Sequence, residues 1–484
     1  MYVTVPDGVY YIQRAGSTKC LANEDSTVNS VSTHVEAKNT STVTDPTQFW
    51  QITYMTDGWY CIRPVDRIRA VLTMDNNNNV VVKDLAQGAS IQLANRWKII
   101  QESTGYVFLH RGLSSTVMTA IGLSEGANVT LASKTASNSC HWTLELAHGV
   151  VLRDTTTQRA VSASTVKTIE LGRTYSLADL GMNYIHYGVL RGVSWSCSDS
   201  SVATINSAGT VVAVGRGNAT IQLTANINGI AYTQQFTITV LKTIYVFNIY
   251  DATISVGDEV YNSIDDAVAF LNTIYRDEFL LNFVMDGEPQ RYVDLEFDNN
   301  PHPLAGECID RYEEEGGCGL LCSQHHNNVN RIAEDLYDQC WESNHIVVSW
   351  SNSACATFCK ENHNDAHVKL NSYGVTTGDY INGDWVPDPI IQMLDINATT
   401  STDTMKLMCV VLAHELAHTL GLDEVNIEDT YDYSKIHEED GRACIMVRSI
   451  TSKLESIYAL GKFALCDDCR RTIHTEIPDD PYAN

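Results

Sequence analysis

The sequence predicts a multidomain chain, two all-β modules followed by an α/β module, and three observations carry that prediction. Trp50, Trp97 and Trp142 recur at intervals of 47 and 45 residues in similar settings, Phe49-Trp50-Gln51, Arg96-Trp97-Lys98 and His141-Trp142-Thr143, which divides the front of the chain into three repeats. Residues 150–241 alternate Val, Ile and Thr with polar residues between Gly, Asn and Ser turns, the pattern of short half-buried strands. From Met405 to Ala413 the chain is apolar, rich in helix formers and free of Gly and Pro, and it runs into His414-Glu415-Leu416-Ala417-His418. At 484 residues the chain exceeds what one hydrophobic core organises, and about three domains are expected.

The repeats come first. Each Trp follows β-rich runs such as Gly8-Val9-Tyr10-Tyr11-Ile12, Trp59-Tyr60-Cys61-Ile62 and Tyr106-Val107-Phe108-Leu109. Three such repeats over residues 1–148 resemble the ricin-type β-trefoil with its Gln-x-Trp repeats. The resemblance implies an all-β trefoil in which an Asp early in each repeat accepts sugar hydroxyl hydrogen bonds. Here the matching places hold Ala22, Thr73 and Thr119, so Asn23 and Asp75 are the nearby polar candidates for a carbohydrate. The simpler reading of the three Trp residues is that they are core.

The second module, residues 150–241, contains Val193-Ser194-Trp195-Ser196-Cys197 and, after a turn, Gly209-Thr210-Val211-Val212-Ala213-Val214-Gly215. This run resembles the bacterial Ig-like group 2 domain, which implies a small all-β sandwich with Trp195 as its core anchor. No catalytic constellation falls in it, and it reads as a spacer.

The third module, residues 242–484, holds the chemistry. On a helix, His414 and His418 stand one turn apart on one face and can share a metal ion. Gly421 is the residue type that ends a helix with positive φ and lets the chain turn back, and Glu424, with Asp423 as the alternative, then supplies a third, carboxylate ligand. His437 and Glu438 are more remote substitutes. The run His414-Glu415-Leu416-Ala417-His418-Thr419-Leu420-Gly421 through Glu424, with Ala443-Cys444-Ile445-Met446 downstream, resembles the metzincin zinc metallopeptidases. That resemblance implies one catalytic Zn²⁺ on His414, His418 and Glu424, Glu415 as general base, and Met446 as the hydrophobic floor of a tight turn. It also departs from the family, where the third ligand is His or Asp. In such sites zinc lowers the pKa of a water toward about 7 and a Glu takes its proton as it attacks a peptide carbonyl.

Around the motif, Asn327 to Trp341 has helical periodicity, His345 to Trp350 reads as a strand, and Thr402 or Asp403 is placed to cap the zinc helix; the resemblance to metzincins further implies a substrate-binding edge strand, for which Ala366 to Tyr373 is the candidate. The pair in Cys466-Asp467-Asp468-Cys469 has metal-ligand spacing, and the resemblance to metzincins implies that it could join Cys444 on a second Zn²⁺; Asp294 to Asp298 is a candidate for Ca²⁺. Ten of the fourteen Cys lie beyond residue 241, and their even number points first to disulfides in an oxidising compartment.

Charge completes the picture. Residues 1–241 carry 17 Lys+Arg and 16 Asp+Glu, whereas residues 242–484 carry 15 and 43, so the formal net charge of −27 belongs to the rear of the chain. Nucleic acid and anionic membrane are poor partners for that surface. No run of 18 apolar residues is present, and Met1 to Pro6 lacks the charged and apolar regions of a leader. The expectation is a secreted or cell-surface bacterial enzyme, monomeric, that acts on a protein or glycoprotein substrate recruited by the trefoil. The rival expectation is a carbohydrate-binding adhesin with an inactive peptidase module. A self-processing protease, cutting near residues 148–153 or 241–244, is the other.

Overall fold

Four strands form in each of the three repeats, and the alternation of apolar residues in each strand sets which face turns inward. The first repeat gives β1 (Gly8–Arg14), β2 (Lys19–Asn23), β3 (Ser30–Ala37) and β4 (Trp50–Thr56). The second gives β5 (Trp59–Pro64), β6 (Ala70–Met74), β7 (Val80–Asp84) and β8 (Trp97–Glu102), and the third β9 (Gly105–His110), β10 (Thr116–Ala120), β11 (Ala127–Ser133) and β12 (Trp142–Leu146). The computed structural model describes residues 4–24, 30–41, 43–56, 58–86, 89–113, 115–122, 124–134, 138–250, 254–291, 344–350, 374–381, 384–393, 401–420, 422, 445–446, 454–461, 464–465, 469–470 and 473. Two compact units divide the chain, 1–240 and 241–484.

In unit 1 the antiparallel pairings β1–β4, β4–β5, β5–β8, β8–β9, β9–β12 and β12–β1 close a ring of six strands. The remaining strands form the hairpins β2–β3, β6–β7 and β10–β11, joined to one another through β3–β7 and β3–β11. A six-stranded ring with three hairpins, one per repeat, is a β-trefoil. Each repeat Trp opens the last strand of its repeat and is fully buried. Its indole N–H donates to the backbone of the hairpin in the same repeat: Trp50 to Leu21 O at 2.9 Å, Trp97 to Leu72 O at 2.7 Å and Trp142 to Met118 O at 3.0 Å. A large apolar ring with one polar tip suits this position, because it fills the core and satisfies a carbonyl that water cannot reach.

Residues 149–240 add β13 (Gly149–Asp154), β14 (Val166–Glu170), β15 (Thr174–Tyr175), β16 (Met182–Tyr187), β17 (Leu190–Cys197), β18 (Ala203–Ile205), β19 (Val211–Ala213), β20 (Gly217–Ile227) and the first part of β21 (Ile230–Tyr250). Strand β20 pairs with both β17 and β21, and β15–β19–β18 form a separate three-stranded sheet. A core of its own, centred on the fully buried Ile221, Leu223, Phe236 and Ile238, lies in this part. Trp195 differs from its expected role as anchor. It sits on β17, which pairs with β20 alone, and packs half-buried against the core margin, edge-to-face with Tyr184 and over Gly209. At Gly209, φ is +82° and a Cβ would meet the Trp195 ring at 3.1 Å, so the turn requires glycine on both counts.

This module is also closely associated with the trefoil. Asp84 accepts from Arg67 and Arg159 together, at 3.0 and 2.9 Å, and Ala160 N–H donates to Asp66 O at 2.7 Å. Val9, Tyr11, Cys20, Phe49 and Val65 of the trefoil share an apolar cluster with Val151 and Tyr187. Buried apolar and hydrogen-bonded contact of this kind makes the two modules one compact unit.

Unit 2 is built on parallel pairing. From Lys242 onward β21 pairs in parallel with β22 (Leu281–Met285), with β23 (Gln290–Arg291) and with β24 (His345–Trp350). Strand β24 pairs in parallel with β26 (Asp384–Met393), and β25 (Gly374–Ile381) runs antiparallel to β26 at the edge. The strand read at His345 to Trp350 is found with those bounds, while the helix and edge strand expected at 327–341 and 366–373 lie outside the described residues. Helix α1 (Glu259–Phe279) buries Val260, Ile264, Ala267, Val268, Leu271, Ile274 and Tyr275 at helical spacing, and Leu280 ends it in the left-handed conformation. Helix α2 (Ser401–Thr419) begins before Thr402 and Asp403, so neither caps it as expected. Its residues Leu407 to Ala413 are buried without interruption, as befits a helix covered on every side, and the short α3 (Leu454–Leu460) packs nearby.

His110 gives the trefoil a pH dependence. Its side chain is 1% exposed, edge-to-face with Trp97, and its Nδ1 accepts from Gly112 N–H at 3.2 Å, a bond that needs the neutral ring. Burial pushes its pKa down to about 4. The unfolded chain, with an ordinary imidazole, therefore binds more protons between these values, so the stabilisation is whole above about pH 6.5 and is lost as the pH falls through about 4, up to about 3 kcal/mol. Thermal unfolding of wild type and His110→Gln between pH 7 and 4.5 should show the shallower pH dependence in the variant; identical slopes would remove His110 as the cause.

Candidate metal centre

Helix α2 is held from the side by α1, where Tyr275 donates its hydroxyl to Ala413 O at 2.7 Å, one residue before the first motif histidine. Wholly buried contacts fix the helix axis and rotation, and so the histidine face. His414 and His418 stand with ring centroids 4.8 Å apart and planes at 88°, and their Nε2 atoms approach to 3.2 Å. His414 Nδ1 donates to Ile445 O at 2.7 Å, and His418 Nδ1 donates to Leu422 O at 2.7 Å.

Those two carbonyls decide the protonation of the rings. A carbonyl oxygen only accepts, so each Nδ1 carries a proton, and in a neutral imidazole the lone pair is then left on Nε2. Two lone pairs face each other across 3.2 Å. Such an arrangement calls for a cation between them, a proton or a metal ion. Two nitrogens bound tetrahedrally at about 2.0–2.1 Å to zinc are themselves about 3.3 Å apart, close to the separation found. A carbonyl behind each ligating histidine is also the usual arrangement for orienting the ring and raising its basicity. The donor pair therefore fits zinc.

Local sequence explains both carbonyls. After α2, Leu422 N–H donates to Ala417 O at 3.1 Å, the 6→1 bond of a Schellman turn, and the sequence places glycine at the intervening position 421. The turn carries Leu422 O back onto His418. Ile445 is fully buried, its N–H donates to Ala464 O at 2.6 Å, and its own carbonyl meets His414. Met446 beside it is half-buried against the unit 2 core. Sequence reasoning placed Met446 in a tight turn and missed Ile445 and Leu422, whose contribution is a backbone oxygen that no side-chain identity announces.

Glu415 is 6% and His418 9% exposed, which removes both from bulk water. Asp423, Glu424, His437 and Glu438 lie outside the described residues, as do Asp294 to Asp298, Cys444 and Cys466. Among the described residues no group of three or more His, Cys, Asp or Glu is placed to hold a metal ion. Cys409, on α2, stands outside the expected disulfide set. It is a buried thiol 3.7 Å from Asp266 O, and burial pushes its pKa up to about 12.

In the trefoil, the two sugar candidates are engaged within the protein. Asn23 is 2% exposed and its amide donates to Asp66 Oδ2 at 3.0 Å, which ties it into the core. Asp75 Oδ1 accepts from the N–H groups of Asn77 and Asn79 and Oδ2 from the Asn79 amide, all at 2.8 Å. Burial works against the ionised carboxyl of Asp75, but these donors outweigh it and hold the pKa below the usual range. The places where the family carries Asp are filled by the buried Ala22 and Thr73 and by Thr119, whose hydroxyl donates to Val117 O.

Residues 188–235 match the family model of the bacterial Ig-like domain (group 2), a stretch that takes in β17 to β20. Three solved structures show a likeness to part of the chain. A mosquitocidal holotoxin is 15% identical, the match covering 34% of this chain and 21% of that one, at a TM-score of 0.27. The Rhizoctonia solani agglutinin is 12% identical over 30% of this chain and 99% of its own, at 0.25. The ricin B-like lectin of Macrolepiota procera, solved with lactose, is 12% identical over 30% and 100%, at 0.24. At such scores the closed ring of strands, rather than these likenesses, defines the trefoil. No curated protein matches the chain.

The buried thiol can be checked directly. Iodoacetamide at pH 8 should leave Cys409 unmodified in the native chain and alkylate it after unfolding without reductant, read by peptide mass spectrometry; a Cys409 that stays unmodified until reductant is added would mean a disulfide.

Proposed function

We propose that unit 2 is a zinc-dependent endopeptidase and that His414 and His418 are two of its metal ligands, Glu424 or Asp423 supplying the third. The observation that carries the reading is the facing pair of Nε2 atoms at 3.2 Å, each ring fixed from behind by a backbone carbonyl. Zinc held there would polarise a peptide carbonyl and acidify water. Glu415, buried next to His414, is the group to take the proton from the attacking water and return it to the departing amine. Leu422 and Ile445 keep the imidazoles in the tautomer that presents Nε2, so their carbonyls act on the reaction through the ligands.

The trefoil supports a role in recruitment. A module that holds glycoprotein weakly raises the local concentration of substrate near a tethered active site, with no new contact at the site itself. The combination fits a secreted or surface enzyme of bacteria, given the Ig-like match and the absence of a helix long and apolar enough to cross a membrane among the described residues. A carbohydrate-binding adhesin with an inert rear module is the competing reading, and metal content separates the two.

Purified chain should carry about one zinc, and Glu415→Gln should keep that metal while lowering casein hydrolysis by about a hundredfold or more. Metal-free protein from zinc-replete medium would favour the adhesin, and a Glu415→Gln variant of undiminished activity would remove Glu415 from the chemistry.

A further inference from the structure

A groove of about 460 Å³ lies within unit 1, between trefoil strands β4 and β5 and the ribbon β13–β16, well apart in sequence from the histidine pair. Alternation along β4 turns Gln51, Thr53 and Met55 to the outside of the trefoil ring, away from the buried Trp50 and Ile52, and Arg63 on β5 joins them there. Arg153 and Tyr187 line the opposite wall, and Ile68, Ile91 and Ile185 add apolar surface.

Arg153 is the telling residue. It is 6% exposed, yet among the described residues no carboxylate pairs with it. One guanidinium nitrogen donates to Val65 O at 3.1 Å, the fork also hydrogen-bonds the Tyr187 hydroxyl beside it, and its Nε is buried with no partner. Arg63 also lacks a carboxylate partner among the described residues; it donates to Ile68 O at 2.8 Å and hydrogen-bonds the Cys61 thiol. Two other arginines of the same unit, Arg67 and Arg159, are by contrast neutralised by Asp84. Burying a guanidinium without an anion is costly, and a planar fork of donors matches a carboxylate. Gln51 and Thr53 make no side-chain hydrogen bond to any described residue, so both remain available to hydroxyl groups. Apolar walls with a few convergent polar groups, in this volume range, are what a small-ligand site needs. The front of the chain is nearly neutral, with 17 basic and 16 acidic residues to position 241, so no general field repels an anion.

We propose that this groove binds a carboxylate-bearing monosaccharide unit, with Arg153 and Arg63 on the carboxylate and Gln51 and Thr53 on ring hydroxyls. Neutral sugars leave the charge of the two guanidinium groups without a counter-ion and bind more weakly. Because the groove is made jointly by the trefoil and the ribbon, the site requires both modules. It stands whether or not unit 2 is a peptidase.

Titration calorimetry on the full-length chain with glucuronic acid, glucose and acetate tests the assignment. Glucuronic acid should bind in the millimolar range, weaken as salt rises, and lose roughly tenfold or more in affinity in Arg63→Gln, with glucose and acetate far weaker. Arg63 is half-buried, so this variant keeps the test open should Arg153→Gln fail to fold. Absence of glucuronic acid binding up to about 20 mM, affinity unchanged in Arg63→Gln, or equal binding of glucose would overturn the proposal. Acetate binding as tight as glucuronic acid would overturn the sugar assignment.

Discussion

Two imidazoles that present lone pairs to each other at 3.2 Å are the constraint on which the rear unit depends. Left to themselves such groups would turn apart or share a proton. Here neither ring is at liberty to turn, since each Nδ1 is anchored to a carbonyl from a different stretch of chain, one at the end of α2 and one at residue 445. The anchors in turn need a helix held still. Uninterrupted burial of Leu407 to Ala413 and the hydroxyl of Tyr275 on Ala413 O supply that stillness, and the parallel sheet behind them supplies the surface for α1 and α2 to pack on. Remove the packing and the two nitrogens lose their separation; remove the carbonyls and they lose their tautomer.

Unit 1 follows a different rule. Its trefoil is organised by three tryptophans that each join the last strand of a repeat to the hairpin of that repeat through an indole hydrogen bond. Burial and hydrogen bonding act together at each of these positions, so the threefold arrangement is specified by the part of the sequence that repeats. The Ig-like sandwich is joined to it by a carboxylate shared between two arginines and by an apolar cluster drawn from both modules. Its own core, rich in Ile, Leu and Val, is set by the period-two alternation along β20 and β21.

Legibility in the sequence tracked how local the physics is. Period-two alternation and a regularly spaced Trp are local signals, and the runs at Gly8, Trp59 and Tyr106 each open or fall within a strand. The His-Glu-x-x-His spacing likewise needs only helix geometry to bring His414 and His418 together. What stayed hidden was whatever depends on a distant partner. Trp195 looked like a core anchor because of its size, but its strand is an edge, a fact of pairing that its own residues do not reveal. Asn23 was a polar candidate near a sugar position, and Asp66, 43 residues further on, turns out to engage it. The orienting carbonyls of Leu422 and Ile445 belong to the backbone, which carries no residue-type signal at all.

Anomalous diffraction at the zinc edge from zinc-loaded crystals of the full chain addresses the central claim most directly. The account predicts a single strong peak within bonding distance of both His414 Nε2 and His418 Nε2, with the rings still anchored to Ile445 O and Leu422 O. Density for zinc elsewhere on the chain with none between these nitrogens, or rings rotated so that Nε2 no longer converges, would contradict it.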